Sequence, residues 1–302
     1  MASCSQSSTV TGLSLCAGYA GLDLGLEIAI PGYRTVCYVE REAHAAATLV
    51  ARMADQALAE APVWDDLKTF NGRAWRGKVH IVSAGYPCQP FSVSGQRRGK
   101  RDPRHVWPDV ARIIGEVRPN AIVLENVEGH IDLGFAEVAR ELQELGYQAK
   151  AGLFTAREVG ARHRRRRLIV LAYANGQRYW EHWRPAVRSG ADQREVTLRS
   201  QGREREASAA SVRDQIVDNR VVVDSSDGAL DRDALPIFAP GPAELSQWGR
   251  ILSIDPSLQP ALLRDEHELA DRLDRTRGVG NGVVSLQAAY AFRTLSSAFA
   301  RR

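Results

Sequence analysis

The sequence predicts an α/β domain built on a mainly parallel sheet, followed by a smaller, irregular region. Three observations carry this. Over residues 9–171, short apolar runs alternate with helical stretches. Several of those runs end in glycine or in a polar pair, at the strand ends where such sheets place their ligands. From Arg184 to Ile237 the chain contains no Phe, Trp or Tyr. That stretch buries little apolar surface and reads in part as loop or disorder.

Taken in order, Thr9–Leu15 reads as a strand running into a glycine turn, and Asp23–Ala29 as the helix after it. Thr35–Val39 is a second strand. Ala43–Ala61 is rich in Ala and free of Gly, so a long helix is expected there. Val79–Ser83 is a strand ending at Gly85, and Val106–Val117 is helical. Ala121–Leu124 is a strand that stops at Glu125–Asn126. Ala136–Leu145 is a helix closed by Gly146, and Arg167–Ala172 is another strand. Further on, Pro236, Pro240, Pro242, Pro256 and Pro260 predict irregular chain around Trp248, Ile251 and Leu252. Ser285–Ala300 is a last helix, with Leu286, Tyr290 and Phe299 expected on one face.

Composition narrows the function classes. The chain has 302 residues, a formal charge of +4 and 44% hydrophobic residues, which is ordinary for a globular protein. Its lysines, Lys68, Lys78, Lys100 and Lys150, all lie in the first half, and the positive excess lies in the arginines of the second half. The second half is therefore the candidate anion-binding half. No window has 18 unbroken apolar residues, so no membrane span is expected. Met1–Ser8 has neither a basic start nor an apolar stretch, so no secretory signal is expected. The cysteines, Cys4, Cys16, Cys37 and Cys88, form neither a disulfide framework nor a zinc pattern. A reducing, cytoplasmic setting is expected, with no metal and any special cysteine a nucleophile.

The first strand–helix junction reads Ser14-Leu15-Cys16-Ala17-Gly18-Tyr19-Ala20-Gly21-Leu22. Gly18 and Gly21 permit a tight turn and close backbone approach at a helix N-terminus. Glu40, at the end of the second strand, is placed to hold the hydroxyls of a ribose. By itself this pairing fits either a nucleoside cofactor or a plain turn with an exposed Glu. Asp66 fits either a carboxylate accepting from an adenine amine or a helix cap.

Ala84-Gly85-Tyr86-Pro87-Cys88-Gln89-Pro90 is more informative. A cysteine at a strand end between two prolines has a restricted backbone, and its thiolate would be a strong nucleophile. The next strand brings Glu125-Asn126-Val127 to the same edge. The run from Ala161 to Val170 carries an arginine cluster. Read as a strand, it puts Arg165 and Arg167 on one face with His163, and Arg164 and Arg166 on the other.

Pro87-Cys88-Gln89, Glu125-Asn126-Val127 and His163-x-Arg165-x-Arg167 resemble the ordered signature motifs of the DNA (cytosine-5) methyltransferases, of bacterial or phage type. Ser92–Gly99 with Asp102-Pro103-Arg104 resembles that family's catalytic loop, and Gly280-Asn281-Gly282-Val283-Val284 its final motif. The resemblance covers residues 10–172 and about 270–300.

It implies a Rossmann-like, S-adenosylmethionine-dependent domain over 9–172 and 270–302, with a target-recognition region over 173–269 that is partly flexible from 184 to 237. It implies methyl transfer to carbon-5 of a flipped-out cytosine in duplex DNA through a covalent Cys88 adduct. Glu125 would hold or protonate the ring nitrogen and should carry a raised pKa in a closed pocket. Arg165 and Arg167 would orient the base and its backbone. Gly18, Gly21, Leu22, Glu40, Asp66, Leu67, Pro87 and Asn281 would bind the cofactor. Partners implied are double-stranded DNA and, functionally, a cognate restriction endonuclease, with the chain a monomer. A relative acting on RNA, or a DNA-binding relative without activity, is the alternative.

The sequence departs from the family pattern at Cys16, where Phe is common, and at Ala20, where a second Gly is common. His163 replaces Gln, Arg162 the Pro before it, and Ser285 the Pro after the final motif. None of these touches Cys88 or Glu125 in the motif pattern. The region from Ala172 to about Ala270 matches no motif, so the bases it reads do not follow from the sequence.

Overall fold

A computed structural model of the chain describes residues 9–87, 106–176, 216–218, 238, 244–254 and 282–300. Eight strands form one sheet: β1 (Val10–Leu15), β2 (Tyr33–Val39), β3 (Val63–Trp64), β4 (Ile81–Ala84), β5 (Ala121–Val127), β6 (Tyr147–Phe154), β7 (Arg167–Ala174) and β8 (Ile216–Asp218). Their order is β3-β2-β1-β4-β5-β7-β6-β8. All neighbours are parallel except β5–β7 and β6–β7. This is the doubly wound order 3-2-1-4-5-6 with antiparallel β7 wedged between β5 and β6, and with β8 added beside β6.

The helices are α1 (Gly21–Ala29), α2 (Ala43–Ala54), α3 (Trp107–Val117), α4 (Phe135–Glu144), α5 (Leu245–Ile254) and α6 (Ser285–Ala300). They cover both faces. One core packs α3 and α4 against Leu13, Val82, Ile122 and Val170. The other packs α1 and α6 against Val10, Ile81, Val123 and Ile169. Alternate residues of β1, β4, β5 and β7 therefore serve opposite cores, and these central strands are buried on both sides.

Differences from the sequence reading have local causes. The helix expected over Ala43–Ala61 ends at Ala54. Gln56 turns left-handed at φ 58, and the N–H groups of Ala57 and Leu58 return to the Arg52 carbonyl at 2.8 and 3.1 Å. That turn lets Leu58 bury itself against Leu49 and Tyr38. The strand at Ala121 continues through Glu125 and Asn126 to Val127, because β7 pairs with it over that whole length. β6 has the weak strand formers Gln, Ala, Lys and Gly, which give no strand signal in the sequence; pairing with β7 and β8 on its two sides makes it a strand. Leu245–Ile254, expected irregular, is helical because Pro242 and Pro256 flank it without entering it. On α6 the buried stripe is Ala288, Phe292, Leu295 and Phe299; Tyr290 packs against the same core while only partly buried, and Leu286 is also only partly buried. The buried stripe follows the i, i+4, i+7 spacing of one helix face.

Among the described residues, no helix is long and apolar enough to cross a membrane.

Candidate active site

The carboxyl ends of β1, β2, β4 and β5 open into one cavity of about 880 Å³. At one end lie the glycine turn and Glu40. Three residues of that turn, Cys16, Gly18 and Ala20, have left-handed φ values of 51°, 53° and 58°. For Cys16 and Ala20 this region costs about 1–2 kcal/mol each. The turn is held by Glu40, whose Oε2 accepts from Gly18 N at 2.7 Å and whose Oε1 accepts from Glu42 N at 2.8 Å. Nothing lies within 4 Å of where a Cβ on Gly18 would be, so its backbone is open to the cavity. Burial, and then the charge of Glu40, push the Cys16 thiol up to about 12, which keeps it a neutral wall residue.

Beneath the turn, Asp23 is buried, and its carboxylate accepts from Ser14 at 2.7 Å and from Ser83 at 2.6 Å. These contacts tie the first turn of α1 to β1 and β4. Asp66 follows β3 and lines the cavity beside Leu67; its Oδ1 accepts from Lys68 N at 3.0 Å.

At the other end is Glu125, on a strand with both neighbours in place and 7% exposed. Burial pushes its carboxyl up to about 7, although Arg167 and Arg165 both pull it down. Arg167 Nε lies 2.7 Å from Glu125 Oε1. Asn126 donates from Nδ2 to the Tyr86 carbonyl at 3.0 Å, which fixes the exit of β4 just before Pro87. Tyr86 is fixed again at its hydroxyl, 2.9 Å from His130 Nε2. Burial pushes His130 down to about 4, so it is neutral there.

Of the residues expected from sequence, Gly18, Gly21, Leu22, Glu40, Asp66, Leu67, Pro87, Glu125 and Arg167 line this one cavity. Cys88, Asn281 and the Ser92–Gly99 loop lie outside the described residues. The arginine run departs from its expected geometry. Residues 161–166 are not a strand, and Arg165 turns left-handed at φ 35. Strand alternation therefore does not apply, and His163 is exposed rather than facing inward with Arg165 and Arg167. Arg165 is half-buried, with its guanidinium on the Gly282 carbonyl. Arg164 and Arg166 are exposed as expected, and Arg166 pairs with Glu128 at 2.7 Å.

The resemblance implied that the C-terminal segment joins the first domain, but sequence reasoning did not find where it meets α1. A Cβ on Gly21 would stand 2.5 Å from the Val283 carbonyl, and one on Gly25 would stand 2.5 Å from Ala288 Cβ. The backbone that closes on Gly21 is thus the chain's own. The Gly21-x-x-x-Gly25 spacing was the available signal: two residues without side chains on one helix face permit a close neighbour.

The sheet order and this cleft define an α/β protein of the doubly wound, Rossmann-like class. The family model for C-5 cytosine-specific DNA methylase matches residues 10–226, and the chain belongs to that family. It is 33% identical over 177 residues to the type II methyltransferase M.NgoMIV of Neisseria gonorrhoeae, covering 57% of this chain and 54% of that one. It is 32% identical over 167 residues to M.NaeI of Lentzea aerocolonigenes, covering 54% and 40%. The matched part spans about half or less of these relatives' length. Among solved structures, a mutant DNMT2 of Spodoptera frugiperda superposes with a TM-score of 0.47 at 19% identity, covering 56% of this chain and 51% of that one.

Proposed function

We propose that the chain is an S-adenosylmethionine-dependent DNA (cytosine-5) methyltransferase, with Cys88 as nucleophile. The observation that carries this reading is the shared cavity. It has a glycine turn with a ribose-type carboxylate at one end and a buried, proton-retaining Glu125 paired with Arg167 at the other. Membership of the C-5 cytosine-specific family supports it.

The residues fit the cofactor. The open backbone at Gly18 suits its methionine end, Glu40 its ribose and Asp66 its adenine, with Leu22, Leu67 and Pro87 beside them; the motif resemblance adds Asn281 to this set. The cavity volume lies within the 300–1,000 Å³ range usual for small-molecule sites. When bound, S-adenosylmethionine supplies an electrophilic methyl group.

The chain's own residues do the rest. The Cys88 thiolate adds to carbon-6 of the extruded cytosine, making carbon-5 nucleophilic. Glu125, held near neutrality, protonates or hydrogen-bonds ring nitrogen 3 as charge develops there. Arg167 keeps Glu125 oriented and offers a guanidinium to the base, and Arg165 supports it from the side. After carbon-5 takes the methyl group and loses its proton, the thiolate is expelled.

In this reading residues 9–172 and 270–302 form the catalytic domain, and 173–269 hold the target-recognition region. Its packing supports this: α6 returns to lie against α1. The substrate is duplex DNA in the cytoplasm of a bacterium or phage-infected host. The enzyme acts as a monomer and belongs functionally with a restriction endonuclease.

Bisulfite mapping of plasmid DNA from cells expressing the chain tests this and gives the site. Methylated cytosines at one sequence are expected with the natural chain and none with Cys88→Ala, which should still bind DNA. Unmethylated DNA alongside methylated cellular RNA would replace DNA by RNA in the proposal. Turnover by Cys88→Ala would end the covalent mechanism.

A further inference from the structure

Gln287 lies in the first turn of α6 and is fully buried. Its Nε2 donates to two backbone carbonyls, Phe154 O at 2.8 Å and Arg165 O at 2.9 Å. Two carbonyls can be met only by the NH₂ end, so the amide has one orientation. Its Oε1 is buried without a hydrogen-bond partner among the described residues. An apolar side chain of similar length would avoid the stranded Oε1, but it would leave both carbonyls without this donor. The amide therefore does something that packing alone does not.

What it holds is the turn before β7. Arg165 has φ 35, a sparsely populated region for a large side chain, and such residues persist only where their surroundings fix them. Here the fixing comes twice from one short segment. Gln287 grips the Arg165 carbonyl, and the Arg165 guanidinium donates to Gly282 O, from Nε at 3.0 Å and again from Nη2. That segment is seated by close contact with Gly21 and Gly25 on α1. Two residues beyond Arg165, Arg167 meets Glu125 at 2.7 Å.

We infer that Gln287 is a positioning residue for the reaction: its amide fixes the turn through Arg165, so that Arg165 and Arg167 present their charges to Glu125. This rests on the reading of Glu125 as the group that holds the proton on cytosine. The C-terminal helix then acts on the catalytic carboxyl from the opposite end of the sequence, without touching substrate.

The test follows the Glu125 carboxyl by carbon-13 NMR titration, which needs no turnover. Gln287→Met keeps the length and removes both donated hydrogen bonds. The Glu125 midpoint is expected to rise by about half a pH unit or more, as the two guanidinium groups loosen their hold. Arg165→Lys keeps the charge, drops the two-pronged grip on Gly282 and leaves α6 intact; the same rise is expected. Phe292→Leu, a packing control on the same helix, should lower the melting temperature and leave the midpoint in place. In single-turnover assays Gln287→Met should slow methyl transfer about tenfold or more, with affinity for S-adenosylhomocysteine within about twofold of the natural chain. An unmoved midpoint in folded Gln287→Met, or in Arg165→Lys, overturns the inference. So does an equal shift in Phe292→Leu. A chain with the expected titrations that methylates no cytosine would instead count against the proposed function.

Discussion

The two ends of the cavity are built in different ways. The glycine end is mostly local, with Ser83 on Asp23 and the Val283 backbone on Gly21 as its long-range contacts. Ser14 and Asp23, nine residues apart, and Gly18 and Glu40, 22 apart, make its defining hydrogen bonds. Its shape comes from left-handed backbone at Cys16, Gly18 and Ala20 and from a carboxylate that caps N–H groups. The Glu125 end is assembled from afar. Arg165 reaches Gly282 across 117 residues, and Gln287 reaches Phe154 across 133. The first end is a rigid backbone cradle with exposed polar atoms. The second is a buried charge balance, in which burial raises a carboxyl and two arginines partly restore it.

The largest expected effect is at the Glu125 end. Glu125→Gln removes the proton-holding carboxyl while keeping its shape, and should slow single-turnover methyl transfer about 100- to 10,000-fold. Affinity for S-adenosylhomocysteine, which the proposed function places at the other end, should stay near that of the natural chain. A comparable loss of affinity would show that the two ends are one unit.

The same carboxyl carries a pH signature. Its pKa in the folded chain, about 7, lies above its ordinary 4.5, so the folded state binds that proton more tightly than the unfolded state. The resulting stability is complete below about pH 4.5 and is lost as pH rises through 7. The stability of the natural chain relative to Glu125→Gln should therefore fall between pH 4.5 and 8, by up to about 3 kcal/mol. Urea denaturation across that range measures it; a flat difference would mean that Glu125 is not strained by burial.

A smaller effect is expected where the local end leans on the distant one. Gly25→Ala would place a methyl 2.5 Å from Ala288 Cβ and 2.7 Å from the Ser285 carbonyl. Backbone cannot yield there cheaply, so a loss of about 1–3 kcal/mol is expected in thermal or urea unfolding. No loss would mean that α6 is free to ride outward, and that its grip on Arg165 is loose.

Much of this architecture was legible. The alternation of apolar runs located β1, β2, β4, β5 and β7, because each is bounded by Gly or by a polar residue where it leaves the core. Glu125 and Glu40 were legible for the same reason: polar residues at strand ends stand out. β6 was not, since Gln148, Ala149, Lys150 and Ala151 have little strand preference and depend on their partners. The arginine run was legible in composition but not in geometry, because one left-handed residue, Arg165, cancels strand alternation.

The sequence by itself determined which residue types stand at the strand ends, and therefore the class of sheet, the glycine cradle and the carboxyl at Glu125. These depend on contacts among near neighbours, where spacing translates directly into position. The tertiary structure alone decided that Glu125 is buried enough to sit near neutrality, that Arg167 rather than His163 faces it, and that Gln287 and Gly282 hold the arginine turn. Burial and charge are sums over everything packed around a group, and in this chain the decisive neighbours arrive from the far end of the sequence.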